Sequence, residues 1–430
     1  MQALVIEGRR PLSGCVEVHG SKNGSLPLMA ASLLIPGQTV LHRCPELTDV
    51  HSTIEILRQL GVSCCREGKT LTIDASVLRD TCIPAALMRR QRASVLFMGA
   101  LLARCGEVTL SMPGGCALGE RPIDLHLSLL RQLGAEVLQD GDQIRCHAAK
   151  LRGGDVYLPY PSVGATENFL LLAMGCEGRS RLLGAAMEPE IGELADFLCA
   201  MGAQIEGVGT PVLTLTPAKT RRPVEHRIMA DRIEAATLLC AAVSAGGEVE
   251  LTDLQPALLG PVVDVLWQMG CAIRCGADRI SLRASERPKA PERVITAPWP
   301  GFPTDAQAPL MAALLRCEGV AQIREQVFQS RFHHVPELRR MGAKIEIDGP
   351  LATVTGVARL QGAWLQGCEL RGTAALVVAA LGAEGESIVT GLEYLDRGYE
   401  DTKNLLTNLG AAIKRVEIST DVVYTISKQG

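Results

Sequence analysis

"VPELRRMGAKIEIDGPLATVTGV", residues 335–357, changes its periodicity at a single glycine. Up to Met341 the apolar residues fall at helical spacing, and beyond Gly342 two short stretches alternate as strands do. Glycine at such a junction is expected in the left-handed conformation that ends a helix ahead of a strand, because it has no Cβ to clash. The stretch therefore reads as a surface helix, a left-handed stop and two strands.

The same pattern occurs in "IEILRQLGVSCC", "LSLLRQLGAEVL", "LADFLCAMGAQIE", "VVDVLWQMGCAIR" and "KNLLTNLGAAIK". The marker glycines are Gly61, Gly134, Gly202, Gly270, Gly342 and Gly410, a repeat of about 70 residues used six times. Upstream of each marker lies a second helical run that is apolar on nearly every side: "GSLPLMAASLL", "ASVLFMGALLA", "TENFLLLAMG", "EAATLLCAAVSA", "AQAPLMAALL" and "TAALVVAALGA". A helix without a polar face belongs in the middle of a domain. Each unit then supplies one buried helix, one surface helix and a few strands, so the fold class is α/β. Six units exceed one core of this size, and two domains of three units each are the economical arrangement.

Polar residues stand beside the buried helices at equivalent places. Lys22 and Asn23 precede the first, Arg92 the second, Asp231 and Arg232 the fourth, Asp305 the fifth and Arg371 the sixth, while the third is expected to begin after Ser162, Val163 and Gly164. An Asp or Ser there can simply cap its helix. Cations at a helix N-terminus oppose the macrodipole, so Lys22, Arg92 and Arg371 need another reason to be there. Helices running parallel would bring their positive ends to one face, and two such faces across a cleft would make an anion site.

Composition narrows the partners. With 430 residues, 47% of them hydrophobic, 21% charged and a net charge of −4, the chain is expected to be a soluble globular protein without a nucleic-acid footprint. The start, "MQALVIEGRRPLSG", lacks an apolar leader, and no stretch approaches the roughly 20 apolar residues of a membrane span, so a cytosolic protein is expected. Fifteen cysteines occur without C-x-x-C pairs or Cys/His zinc spacing, and most, such as Cys176, Cys199, Cys240 and Cys317, sit in apolar helical runs as small hydrophobes. No metal or cofactor is expected. Cys116 differs from its companions. In "LSMPGGCALGERPIDLH" it lies among Gly114, Gly115 and Gly119, five residues before Arg121, in a pattern that is neither helix nor strand. A thiol placed so has reach, and neighbouring cations would lower its pKa.

These residues, together with "GSKNGSLPL", "PSVGATEN", "EPEI", "ADRIEAAT", "FPTDAQA", "SRFHHVPELRRMGA", "LRGTAALV" and "DRGYE", resemble the UDP-N-acetylglucosamine enolpyruvyl transferase family, in order and across the whole chain. The resemblance implies an inside-out α/β barrel of the enolpyruvyl transferase type, with six repeats in two three-repeat domains. Residues 1–21 with 230–430 would form the catalytic domain, completed by the N-terminal strands. Residues 22–229 would form the second domain, carrying the Cys116 loop, with the active site in the cleft between them. The implied reaction moves the enolpyruvyl group of phosphoenolpyruvate to the 3-hydroxyl of UDP-N-acetylglucosamine (UDP-GlcNAc) and releases phosphate, the first committed step of peptidoglycan synthesis. The implied partners are those two substrates alone, on a monomer or weak oligomer.

Residue by residue, the resemblance places Lys22 and Asn23 at the phosphoenolpyruvate, and Arg92 and Arg121 around the phosphate and nucleotide sugar. Arg331, Arg371 and Arg397 match the arginines that hold carboxylate and phosphate, a task suited to the planar fork of guanidinium. Asp305 matches the base for the sugar hydroxyl, and the same residue is placed to cap the following helix. Cys116 matches the loop thiol that donates a proton to the methylene carbon. The nucleotide is implied to run along Arg121, Pro122, Ile123, Asp124 and Leu125, with Ser162, Val163 and Gly164 giving polar contacts and Asp305 and Val327 closing on the sugar. Glu188 and Asp231 match acidic residues near the site without an assigned task.

The sequence departs from the family pattern at Gly24-Ser25, at Gly372-Thr373, at Met187 and Tyr160 where basic residues are common, and at Glu120. None removes a group that the reaction needs. They are compatible with a second copy of the enzyme or a preference for another nucleotide sugar. The alternatives are transfer to shikimate phosphate, by a related synthase that lacks the loop cysteine and the "RPIDLH" run, and a UDP-GlcNAc-binding paralogue without turnover.

Overall fold

The structure is a computed structural model that describes residues 1–114, 122–328 and 331–418. All six marker glycines have a left-handed φ, from +83° at Gly270 to +119° at Gly202. A strand begins two residues after each of them: Ser63–Glu67, Glu136–Asp140, Gln204–Glu206, Ala272–Cys275, Lys344–Asp348 and Ala412–Glu417. Glycine is needed here because an L side chain in this region would be strained.

The described strands form six sheets, five of four strands and one of three. The first two strands, Gln2–Glu7 and Leu12–Glu17, join sheets formed by the far end of the chain. Leu4 pairs with Val389 on one side and Arg415 on the other, and Leu12–Glu17 runs parallel to Gly247–Thr252. In the other direction Val224–Arg227 returns to pair with Gln38–His42. These exchanges meet where Gly20 bridges Ala230 and Ser21 N–H donates to the Met229 carbonyl.

Two apolar clusters fill the interior. One gathers residues between Leu26 and Ile228, and the other gathers residues from Leu4 to Val18 with residues from Ala230 to Ile413. At the centre of the second, helices Arg232–Ala245, Thr304–Leu314 and Leu370–Gly382 pack on one another. Every residue of Arg232–Ala245 is buried, which explains why the sequence offers it no polar face. Helices Phe97–Cys105 and Val163–Ala173 pack together in the first cluster, and Lys22–Ala31 packs on Pro189–Met201. Burial of each Leu or Phe side chain in these helices contributes about 1.5–3 kcal/mol. Among the described residues no helix is long and apolar enough to cross a membrane.

Helix starts differ in detail from the expected ones. Lys22 is the first residue of its helix, and Val163 already lies inside the third, with Ser162 as its cap. Arg92 opens a 3-10 turn, Arg92–Leu96, that leads into Phe97–Cys105. Asp305 is the second residue of Thr304–Leu314 and does not cap it, because the cap position falls on Pro303.

Candidate active site

The N-termini of the six buried helices converge on one cavity of about 540 Å³. Lys22 and Asn23, Arg92, Val163 and Gly164, Arg232, Thr304 and Asp305, and Leu370 and Arg371 all line it. Of the other expected residues, Pro122, Asp124, Leu125, Ser162, Glu188, Val327, Arg331 and Arg397 line its walls, as does Tyr160. Cys116, Glu120 and Arg121 lie outside the described residues, in a segment whose two flanks, Gly114 and Pro122, both border the cavity. Ile123 and Asp231 are not among its lining residues. Ile123 packs into the apolar cluster. Asp231 is taken up by backbone: Oδ1 accepts from Ile233 and Glu234 N–H as a helix cap, and Oδ2 accepts from Lys22 N–H at 3.0 Å. One carboxylate thereby ties the starts of two buried helices together.

The cations are matched to two carboxylates. Lys22 Nζ lies 2.7 Å from Asp49 Oδ2, and Arg397 Nε donates to Asp49 Oδ1 at 3.0 Å. In the same cavity, Arg331 Nη2 donates to Asp305 Oδ1 at 2.8 Å and Arg371 Nη2 to Asp305 Oδ2 at 2.8 Å. Arg371 is fixed further by stacking over Tyr399, and Arg331 by stacking over Phe328. Burial would raise the Asp305 pKa, but Arg371 and Arg331 outweigh it and hold the carboxyl far below the usual range. Burial, with Arg371 and Arg397 nearby, pulls the Lys22 ammonium below its ordinary value despite Asp49. Four buried or half-buried cations held by two internal carboxylates can exchange those partners for an anionic ligand.

A second end of the cavity is shaped for a different group. Arg92 Nη2 donates to the Pro122 carbonyl at 3.0 Å, anchoring one flank of the 115–121 segment. Gly99 N–H donates to Asn168 Oδ1, so the Asn168 amide donates to the Val95 carbonyl and, at 2.8 Å, to His126 Nδ1. The His126 ring then occupies the space beside Gly164, where an added Cβ would come within 3.1 Å of Cε1. The helix start at Val163 and Gly164 presents backbone N–H groups beside that ring.

The cavity is also lined by an acidic stretch. Glu190 accepts a bidentate pair from Arg232, whose guanidinium stacks over Trp299. Glu188 Oε1 accepts from Trp299 N–H at 3.2 Å, and burial raises its pKa. Among the described residues no group of three or more His, Cys, Asp or Glu is arranged to hold a metal ion. Arg232 was picked out in the sequence by its repeat-equivalent polar position and Glu190 lies within the "EPEI" stretch, whereas Asp49 and Phe328 went unnoticed as site residues.

The sequence profile of the EPSP synthase (3-phosphoshikimate 1-carboxyvinyltransferase) family matches residues 6–406. The UDP-N-acetylglucosamine 1-carboxyvinyltransferase 2 of Caldanaerobacter subterraneus subsp. tengcongensis is 43% identical over 416 residues, covering 97% of this chain and all of that one. The UDP-N-acetylglucosamine 1-carboxyvinyltransferase of Dichelobacter nodosus is also 43% identical, over 418 residues, with the same coverage. Among solved structures, the enolpyruvyl transferase NikO from Streptomyces tendae superposes with a TM-score of 0.88 at 26% identity, covering 97% of this chain and 99% of that one. EPSP synthase from Acinetobacter baumannii superposes with a TM-score of 0.74 at 19% identity, covering 97% and 100%, a likeness of fold alone. The chain thus has the mixed α/β fold of these transferases.

Proposed function

The chain belongs to the UDP-N-acetylglucosamine 1-carboxyvinyltransferase family, and on that premise we propose that it transfers the enolpyruvyl group of phosphoenolpyruvate to the 3-hydroxyl of UDP-GlcNAc, releasing phosphate. The observation that carries the reading is the set of Lys22, Arg331, Arg371 and Arg397 around Asp49 and Asp305 in one cavity. Phosphoenolpyruvate brings a phosphate and a carboxylate, which these cations can take in place of the internal carboxylates. The diphosphate of the acceptor suits the helix start at Val163 and Gly164, with Arg92 near.

In the proposed chemistry Asp305 is silent until substrate arrives. While Arg331 and Arg371 hold it, it is a poor base. A substrate anion that draws them away restores its basicity, and it accepts the proton of the sugar 3-hydroxyl. The sugar oxygen bonds to C2 of phosphoenolpyruvate as the Cys116 thiol gives a proton to C3. The tetrahedral intermediate collapses when C3 returns a proton to the thiolate and the C2–O bond to phosphate breaks. The leaving phosphate takes the proton held by Asp305. Lys22 and Arg397 stabilise the charge that grows on phosphate.

The finer architectural reading belongs with this proposal: an inside-out α/β barrel of six units, with residues 1–21 and 230–430 as one domain and 22–229 as the other. The two apolar clusters and the strand exchange at Gly20 and Ala230 support it. A cytosolic monomer or weak oligomer needs no further partner for this reaction. Phosphate release from phosphoenolpyruvate, measured with UDP-GlcNAc and in parallel with shikimate phosphate, tests the function. Release with UDP-GlcNAc alone is expected. Release with shikimate phosphate alone would move the assignment to the other synthase, and tight UDP-GlcNAc binding without release would leave a binding paralogue.

A further inference from the structure

The proposed chemistry leaves one buried carboxyl on the cavity wall without a task. Glu167, on the helix that starts at Val163, is only 6% exposed, yet it lines the cavity and takes no hydrogen-bond or ion-pair partner among the described residues. Its acidic neighbours are Glu188, at the cap of helix Pro189–Met201, and Glu190 within it, and neither side chain is bonded to it. Arg232 enters from helix Arg232–Ala245 but is occupied by Glu190, and Lys22 of helix Lys22–Ala31 is occupied by Asp49. His126 lines the same cavity beside Gly164, one turn before Glu167, and its Nδ1 accepts from the Asn168 amide. A buried polar group left unpaired is costly, and such a group open to a cavity points to a ligand that pairs with it.

Charge decides which part of a ligand can sit there. With Arg232 already taken by Glu190, this wall offers a phosphate no cation to pair with, so neither the phosphoenolpyruvate nor the diphosphate of the acceptor fits it. A neutral, hydroxyl-rich group does, because a carboxyl can donate to and accept from hydroxyls and amides. Glu167 also lies one turn beyond Gly164, where the acceptor reading puts the diphosphate, and it shares the cavity with Asn23 and Asp305, where that reading puts the reacting end. That is where a saccharide between diphosphate and phosphoenolpyruvate would lie. We infer that Glu167 is a specificity-determining residue that hydrogen-bonds the pyranose of the nucleotide sugar. The inference rests on the acceptor reading given above.

Calorimetric titration of UDP-GlcNAc and of UDP into the full-length protein near pH 7 tests it, with Glu167→Leu and Glu167→Gln beside the unmutated chain. Glu167→Leu is expected to weaken UDP-GlcNAc by about tenfold or more, since the sugar loses a buried partner, while UDP changes by less than about twofold. Glu167→Gln, a neutral donor and acceptor of the same shape, is expected to retain UDP-GlcNAc affinity within about threefold. Unchanged UDP-GlcNAc affinity in Glu167→Leu, or an equal loss for UDP, would overturn the inference. If Glu167→Leu fails to fold, Glu167→Asp, which withdraws the carboxyl by one methylene, carries the same two outcomes. Phosphate release by the unmutated protein separates this from the reaction itself. Without release, a sugar-specific loss in Glu167→Leu would still uphold the wall and refute only the transfer.

Discussion

Arg397 and Asp49 lie 348 residues apart in sequence, yet the guanidinium donates to Oδ1 of the carboxylate at 3.0 Å, and Lys22 Nζ lies 2.7 Å from its Oδ2. Asp49 is thus the internal counter-ion of two cations that the proposed reaction needs free. Asp49→Asn removes that charge and leaves Lys22 and Arg397 facing each other, which is expected to cost about 3 kcal/mol or more. The variant should melt several degrees lower than the parent, and inorganic phosphate should raise its melting temperature by more than it raises the parent's. An unchanged melting temperature, or equal phosphate shifts, would show that the shared carboxylate does not balance the pair.

Asp305→Ala is expected to lower kcat by about 10²–10⁴-fold, the usual worth of a positioned base. Because the same change frees Arg331 and Arg371, phosphoenolpyruvate binding should be no weaker than in the parent. Normal turnover would remove Asp305 from the chemistry, and a loss confined to phosphoenolpyruvate affinity would make it an organiser of the arginines.

The cysteines separate by burial. Desolvation pushes the thiols of Cys44 and Cys317 to about 12 and those of Cys64, Cys146, Cys176 and Cys271 to about 11, so none of these should be alkylated appreciably at pH 7.5. Cys116 should react fastest of the fifteen with an epoxide phosphonate such as fosfomycin, whose anion is drawn to Lys22 and Arg397, and UDP-GlcNAc should accelerate it. Peptide mass spectrometry after brief exposure ranks them in one experiment. Equal rates at Cys116 and at exposed Cys105 would refute the role of that loop.

The start of the loop can be tested at Gly114, where an added Cβ would lie 1.9 Å from the Arg89 carbonyl oxygen. No side-chain rotation relieves a clash with backbone, so Gly114→Ala must shift the chain just ahead of Cys116. Turnover and the alkylation rate of Cys116 should fall together by about tenfold or more, in line with the cost of misplacing a reacting group. A fall in melting temperature without loss of alkylation would assign Gly114 to stability alone.

Burial, and then Glu190 and Glu188, raise the Glu167 pKa from 4.5 to about 8. Between those values the folded state binds more protons than the unfolded chain, so stability should fall as pH rises from about 5 to 8, by an amount on the order of a few kcal/mol. Glu167→Gln abolishes this titration. Melting curves at pH 6 and pH 8.5 should therefore lie closer together for the variant than for the parent, and parallel shifts would refute the linkage.

The repeat was legible because helix, left-handed glycine and strand are local signals, and Gly61 or Gly342 carries them within a dozen residues. Lys22 and Arg371 were legible because a cation in a first helical turn conflicts with the dipole. Asp49 was not. An acid in the first turn of helix Thr48–Gln59 is what the dipole favours, and only the fold brings it to Arg397. Asp231 misleads the other way, since its ordinary capping task also accounts for its contact with Lys22. Glu167 stands inside an apolar run, where nothing local tells an unpaired acid from a paired one.

The strand exchange at the start of the chain also sets an order of assembly during synthesis. Every partner of the sheets between Gln38 and Arg227 has been made once residue 227 emerges, so that portion can close early. Gln2–Glu7 must wait for Glu386–Thr390 and Ala412–Glu417. At roughly 5–20 residues per second, Gln2–Glu7 stays without these partners for tens of seconds. Its alternating "QALVIE" is then an open edge, a ready substrate for any helper that shields nascent chains.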